Sequence, residues 1–341
     1  MKTIISLLLI IALVSCKKAN TSPTNNSANN TTNNTTNNSN SNINDTCWVN
    51  YEKIIAKCVE VDKNDVKWFA GTGGLYSFEN EKWNNFQTSL NLFNRLVINP
   101  FNLEKNMFYW GGLGGLNCFN GKTWNYQDST NNERLNIFSA EYDNSGNLWI
   151  AHQHQDWKRS TYLFIYNNSL VEIDLSSYVG LSGSTFIKCN NNILWIGSYN
   201  GLLKFDITQN KVTETYNQTN STICSNQIID MAFDNNGKIW VASAQGGISN
   251  FDGKNWINFN SINSDLLNNL TTSIAVDKYN NIWIGTISGL SKYNGNTWTN
   301  YTQSNSKILD NNVLDILIDK QDQKWIVTNN GISRLSKTKL N

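Results

Sequence analysis

The chain contains two histidines, and they stand two residues apart in the stretch Ala151-His152-Gln153-His154-Gln155-Asp156-Trp157-Lys158-Arg159-Ser160-Thr161-Tyr162. Side chains alternate along an extended strand, so His152, His154 and Asp156 would share one face. Two imidazoles and a carboxylate could then offer nitrogen and oxygen ligands to a transition metal. A His-x-His pair is a weak signal by itself, and the competing reading is a decorated surface loop whose histidines face water. Trp157 with Arg159, or with Tyr199 in a later turn, suggests a different chemistry: a stacking platform for a sugar ring or a peptide. Gln245 stands in the corresponding turn one repeat further on and belongs to the same candidate surface. No catalytic set is legible, and no cofactor is implied.

The elements that must position these residues are written as a repeat. Trp68, Tyr109, Trp149, Trp195, Trp240, Trp283 and Trp325 recur at steps of 40 to 46 residues. The clearest copies read Trp195-Ile196-Gly197-Ser198-Tyr199-Asn200-Gly201-Leu202 and Trp283-Ile284-Gly285-Thr286-Ile287-Ser288-Gly289-Leu290. Short strands at a period of about 40–50 residues are the signature of propeller blades. In the fifth repeat, Ile228 to Phe233, Ile239 to Ser243, Ile248 to Phe251 and Trp256 to Phe259 read as four strands. Asp234-Asn235-Asn236-Gly237 and Asp252-Gly253 between them are turn formers, since Asp and Asn bond their own backbone and Gly accepts positive φ. The expected fold is therefore all-β, a seven-bladed propeller of four-stranded antiparallel blades. The seventh repeat lacks an outer strand, whereas Trp48-Val49-Asn50-Tyr51 matches Trp256-Ile257-Asn258-Phe259. Strand 48–51 should complete the last blade and remove a free sheet edge; the rival for that slot is 336–340. The recurring Asp62, Asp143, Asp234, Asp277 and Asp319 read as turn formers rather than a shared acid cluster.

Repeat three breaks the pattern. From the anchoring aromatic to the end of Gly-Leu-x-x-Phe takes 10 or 11 residues elsewhere, but 17 from Trp149 to Tyr166. The extra residues, which carry both histidines, are expected in the loop between the second and third strands. Departure from local consistency is where function is expected, although surface loops also tolerate insertions readily.

The lead-in Asn-Ser, seen at Asn220-Ser221, Asn263-Ser264 and Asn305-Ser306, completes a motif with Asp-x-x-Gly, Trp-Ile-Gly-Thr and Gly-Leu-x-x-Phe. That motif resembles the two-component regulator propeller repeat over roughly residues 47–336. The resemblance implies a ligand- or partner-binding propeller, since such propellers commonly form extracytoplasmic sensing regions of hybrid histidine kinases in Bacteroidetes-like bacteria, often responding to glycans. Neither a kinase nor an immunoglobulin-like domain is legible, so the expectation is binding of a glycan, peptide or protein with no signalling domain of its own. The repeat is more distantly similar to the streptogramin lyases, which use a histidine base and acidic residues around magnesium. Neither His152 nor His154 matches that motif, so a metal-dependent lyase stands as the alternative, beside a pure interaction scaffold.

Export is written at the start. Lys2 precedes an apolar run from Ile4 to Val14, too short to span a bilayer, and Leu13-Val14-Ser15-Cys16 follows. This resembles a lipoprotein box, which implies that residues 1–15 are a signal peptide and that Cys16 is lipidated. Residues 16–45, almost all Asn, Thr and Ser beyond the first few, cannot bury enough apolar surface to order and should form a tether. The propeller would then occupy 46–341, with membrane contact through the lipid on Cys16 and a location in the cell envelope. With 27 Lys plus Arg against 26 Asp plus Glu, no basic stripe invites nucleic acid. Five cysteines besides Cys16 fall at irregular offsets, so mostly buried thiols are expected.

Overall fold

β-branched and aromatic runs, punctuated by Asn, Asp and Gly, fold into short antiparallel strands, as their composition requires. The computed structural model describes residues 13–14, 47–71, 74–86, 98, 106–109, 116–119, 124–127, 135–154, 161–166, 170–179 and 184–336. Among these, the strands form seven sheets, and successive sheets are successive repeats of the sequence. Five sheets have four strands in simple up-and-down order; the second repeat contributes three strands. The innermost strands, including Cys58–Val61, Leu135–Tyr142, Ser184–Asn190, Ile228–Phe233, Thr271–Val276 and Val313–Ile318, surround a central channel. The fold is an all-β propeller. A single helical turn, Ser176–Val179, lies in the crossover from the third blade to the fourth.

The last blade closes as the sequence implies. Cys47–Tyr51 pairs antiparallel with Gly331–Ser336, placing Trp48 opposite Leu335 and Tyr51 opposite Ile332. A two-residue strand, Leu13–Val14, lies outside it against Val49 and Asn50. Buried aromatics fill the space between blades: Trp149 with Phe205 between blades three and four, and Trp325 with Tyr51 and Phe78 at the closure. Each such side chain contributes about 1.5–3 kcal/mol by burial.

The recurring aspartates do more than form turns. Asp62, Asp143, Asp234, Asp277 and Asp319 each accept from the backbone N–H groups two and four residues on. Each also receives the indole N–H of the anchoring tryptophan six residues on, at 3.0, 2.9, 3.5, 3.0 and 2.9 Å. The residue three places on is left-handed in every case, and it is Asp65, Gly146, Gly237, Asn280 or Asp322. One carboxylate thus closes a turn and pins a core aromatic. The turn between the second and third strands depends on glycine instead: at Gly289 φ is +138°, and an added Cβ would lie 2.7 Å from the Tyr301 carbonyl oxygen.

Cys58, Cys189 and Cys224 remain thiols. Cys47 is disulfide-bonded, which departs from the thiol expectation at that position.

Candidate functional site

Two surfaces hold the residues able to do chemistry. The first is the central channel, a cavity of about 530 Å³ lined by Lys57, Glu60, Glu141, Lys188, Asp230 and Asp315 among others. Burial raises the Glu141 carboxyl above its ordinary value, and the Lys188 ammonium opposes that shift. Asp230 and Asp315 are already committed. Asp230 accepts the Ile274 N–H of the next blade at 3.0 Å, and Asp315 accepts the Val59 N–H at 3.0 Å. Ser139 does the same for Ile187 at 2.9 Å, and Ser273 for Ile316 at 3.3 Å. These side chains stand just past a register shift in their strands and latch blades three, five, six and seven to their successors. Among the described residues, no group of three or more His, Cys, Asp or Glu comes together in a way that could hold a metal ion. Burial, with Glu141 and Asp143 adding to it, pushes the Cys189 thiol up to about 11, away from the reactive thiolate form.

The second surface is the face that carries the second-to-third-strand turns and the crossovers between blades. Tyr199 and Gln245 are exposed there. Asn200 Nδ2 donates to the Tyr178 carbonyl at 3.3 Å, so the turn holding Tyr199 abuts the helical turn holding Tyr178. That helical turn in turn touches strand Thr161–Tyr166 of the third blade. His152 and His154 lie in strand Leu148–His154, opposite Ile137 and Leu135 respectively. The ends of the insertion therefore lengthen the hairpin, where a loop was expected over 151–162, and 155–160 lie outside the described residues. Ala151 to Gln153 pair with Thr161 to Leu163, because backbone groups in a longer ladder bond to one another instead of to water. The two histidines stand two residues apart in this one strand. Asp156, Trp157 and Arg159 lie outside the described residues, as does Cys16. The structure thus brings the third-blade hairpin, Tyr178 and Tyr199 into one region, while Gln245 sits a blade further round.

Tyr178 escaped the sequence reading. Its crossover has no counterpart in the other repeats, and nothing in its spacing marks it as exposed. Of the seven exposed large hydrophobic side chains among the described residues, five lie on this face: Tyr178, Tyr199, Ile262, Leu270 and Ile287. Tyr199 is 47% exposed and Ile262 is 91% exposed. Ile257 lies on an outer strand and Tyr279 in an aspartate turn on the opposite face.

Against known proteins, a family model described as two component regulator propeller matches residues 265–288. That segment is a two component regulator propeller repeat. It spans the crossover into the sixth blade and its first two strands, ending at the Thr286-Ile287-Ser288 turn. No curated protein matches the chain by sequence. Among solved structures, the extracellular domain of the hybrid two component system BT3049 from B. thetaiotaomicron is similar, with a TM-score of 0.67 at 20% identity. The match covers 82% of this chain and 38% of that one, so this chain spans well under half of the BT3049 domain's length. Virginiamycin B lyase from Staphylococcus aureus is similar at a TM-score of 0.68 and 12% identity, covering 85% and 98% of the two chains. PorZ, a surface component of the type-IX secretion system of Porphyromonas gingivalis, matches at 0.59 and 18%, covering 85% and 45%. At these identities the likeness is one of fold.

Proposed function

We propose that this protein is an exported, lipid-anchored propeller that binds a ligand or a protein partner through its crossover face. The observation that carries the reading is the gathering of exposed Tyr178, Tyr199, Ile262, Leu270 and Ile287 on that face. Large apolar side chains elsewhere in the described residues are mostly buried, and aromatic residues are favoured where partners dock. The third-blade hairpin, whose strand Leu148–His154 carries both histidines, touches the helical turn that holds Tyr178 through its strand Thr161–Tyr166. The repeat match at 265–288 and the fold likeness to an extracellular domain support an extracytoplasmic binding role. The lipid on Cys16 would hold the propeller at the envelope through the tether 16–45.

Binding to the native state raises stability by mass action, by about 2.7 kcal/mol at 100 times the dissociation constant. The test is the thermal stability of the whole protein across oligosaccharides, peptides and divalent metals, repeated for Tyr199→Ala, His154→Ala and Trp157→Ala. A shift that shrinks in these variants supports the crossover face. A shift that all three leave intact moves the site elsewhere. A flat panel directs the search to a protein partner, sought by crosslinking at the cell surface.

The lyase alternative is not favoured by any observation in the channel, where Asp230 and Asp315 are held by backbone donors.

A further inference from the structure

The central channel has one level at which the blades stop being alike. On six inner strands one residue lies directly opposite the anchoring tryptophan of the following strand: Glu60, Glu141, Lys188, Ala232, Ala275 and Leu317. Blade four keeps this register although its turn is one residue shorter, with Asn190 five residues before Trp195 where five other blades place aspartate six before. All six residues line the channel and are half-buried, whereas Val59, Ile187 and Ile316, one place earlier in their strands, are buried between blades. The level divides in two. Blades one, three and four give it two carboxyls and an ammonium; blades five, six and seven give it two methyl groups and an isobutyl group. Across the described lining, the carboxyls of Glu60, Glu141, Asp230 and Asp315 outnumber the ammoniums of Lys57 and Lys188.

We infer that the channel is a second binding site, distinct from the crossover face, and that it takes a primary ammonium carried on a short aliphatic body. Glu141 carries the argument. Protein encloses it on nearly every side, yet it lines the channel. Its carboxyl accepts the backbone N–H of Tyr142, and among the described residues no cation comes within ion-pair distance; the Lys188 ammonium acts on it from further off. An enclosed carboxylate without a close counter-charge is costly. An incoming ammonium supplies that charge where salt screens little, and its three donors suit carboxylates, which only accept. The excess of carboxyls in the lining draws a cation inward and disfavours a small anion. A bare metal ion fits less well, since no group of three or more His, Cys, Asp or Glu gathers among the described residues. The body behind the ammonium meets the opposite arc. Ala232 and Ala275 are small and leave room, and Leu317 adds apolar surface, so a short chain is buried against them. The cavity of about 530 Å³ holds such a guest entire.

The experiment is isothermal titration calorimetry of the full chain with pentylammonium chloride. Sodium pentanoate, pentanol, ammonium chloride and magnesium chloride are the controls for charge sign, charge, body and metal. The expected result is saturable binding of pentylammonium and none of comparable strength with any control. Glu141→Gln keeps the shape of the side chain and should weaken pentylammonium about 10- to 100-fold, the loss of one charge-assisted hydrogen bond. Ala275→Leu tests the site from the other wall and should weaken it about tenfold by filling the apolar arc. Tyr199→Ala, on the crossover face, should leave it unchanged. Absence of saturable binding up to about 10 mM overturns the inference. So does equal binding of pentanoate, pentanol or ammonium chloride, or of magnesium. Binding that Glu141→Gln and Ala275→Leu both leave intact, or that Tyr199→Ala removes, overturns it equally.

Discussion

The seam that closes the ring and the seam between blades four and five are built from the same repeat and end in opposite chemistry. At the closure, Lys67 is nearly buried with Nζ 2.8 Å from Asp65 and 3.1 Å from Asp319 of the preceding blade. It also lies 6.0 Å from the Trp325 ring. Lys324 repeats the arrangement one blade back, 3.3 Å from Asp277 and 5.3 Å from the Trp283 ring. Arg334, buried over Tyr51, Phe78 and Trp325, forks onto Glu81 at 2.7 and 2.9 Å. Each charge has its counter-charge, although the Arg334 Nε–H is buried without an acceptor. Blade five has Ile239 at the lysine's position, and blade four has no aspartate for its tryptophan, so that seam gapes. The clamp is thus optional for the fold. Where it is kept it seals a joint; where it is missing it leaves a lined recess.

The largest effect that could break this contrast is at Asp319. Asp319→Ala removes the acceptor of the Trp325 indole and of two turn N–H groups and leaves Lys67 with Asp65 alone of its two carboxylates. The expected loss, about 3–5 kcal/mol in urea unfolding, is that of leaving these donors unsatisfied. Arg334→Ala comes next, at about 2–4 kcal/mol, because it empties a space between three aromatic rings while leaving a largely exposed Glu81 to water. A loss below 1 kcal/mol in either variant would mean the closure is no tighter than the open seam.

Acid provides a graded version of the same test. Burial favours the protonated form of Asp143 and Asp277, but hydrogen bonds from their tryptophans and from Asn147 or Asn281 outweigh it, and Lys324 adds to the effect at Asp277. Both carboxyls are held below their ordinary value. A depressed folded pKa contributes stability that is fully present above the unfolded value, about 3.9, and is lost as pH falls through the folded one. The part of the unfolding free energy carried by these two carboxyls should therefore hold steady from neutrality to about pH 5 and fall below pH 4. Asp277→Asn should flatten part of that fall.

The smallest effects are expected at the open seam and on the crossover face. Asn190→Asp cannot rebuild the clamp, since the turn is a residue short, and should change stability by less than about 0.5 kcal/mol. Tyr178→Ala and Tyr199→Ala should be as mild in unfolding, yet they are the changes expected to weaken partner binding. A loss of stability above 1 kcal/mol at either tyrosine would recast that residue as part of the packing.

The period, the four-strand grammar and the closing strand were legible because they are local patterns repeated along the chain. The Asp-to-Trp spacing of six was present too, in five copies, but it reads as turn chemistry until the indole is seen to reach back. Other features could not be read because they depend on which blade lies beside which. Lys67 looks like an exposed lysine until Asp319, more than 250 residues away, is placed against it. Tyr178 and Tyr199 become neighbours through a crossover whose path no periodicity encodes. The third-blade insertion was visible as extra length, while its pairing into a longer hairpin required the partner strand.

The closing strand also sets a clock. Cys47–Tyr51 is made well before its partner, Gly331–Ser336. Until that partner is made, the early strand waits with the edge that meets it unpaired, exposed to capture by any other open edge. The ring cannot shut until the final strand arrives, so the slowest contact is also the one that joins the two ends. Any factor that shields this first strand until then governs how much of the protein reaches its finished form.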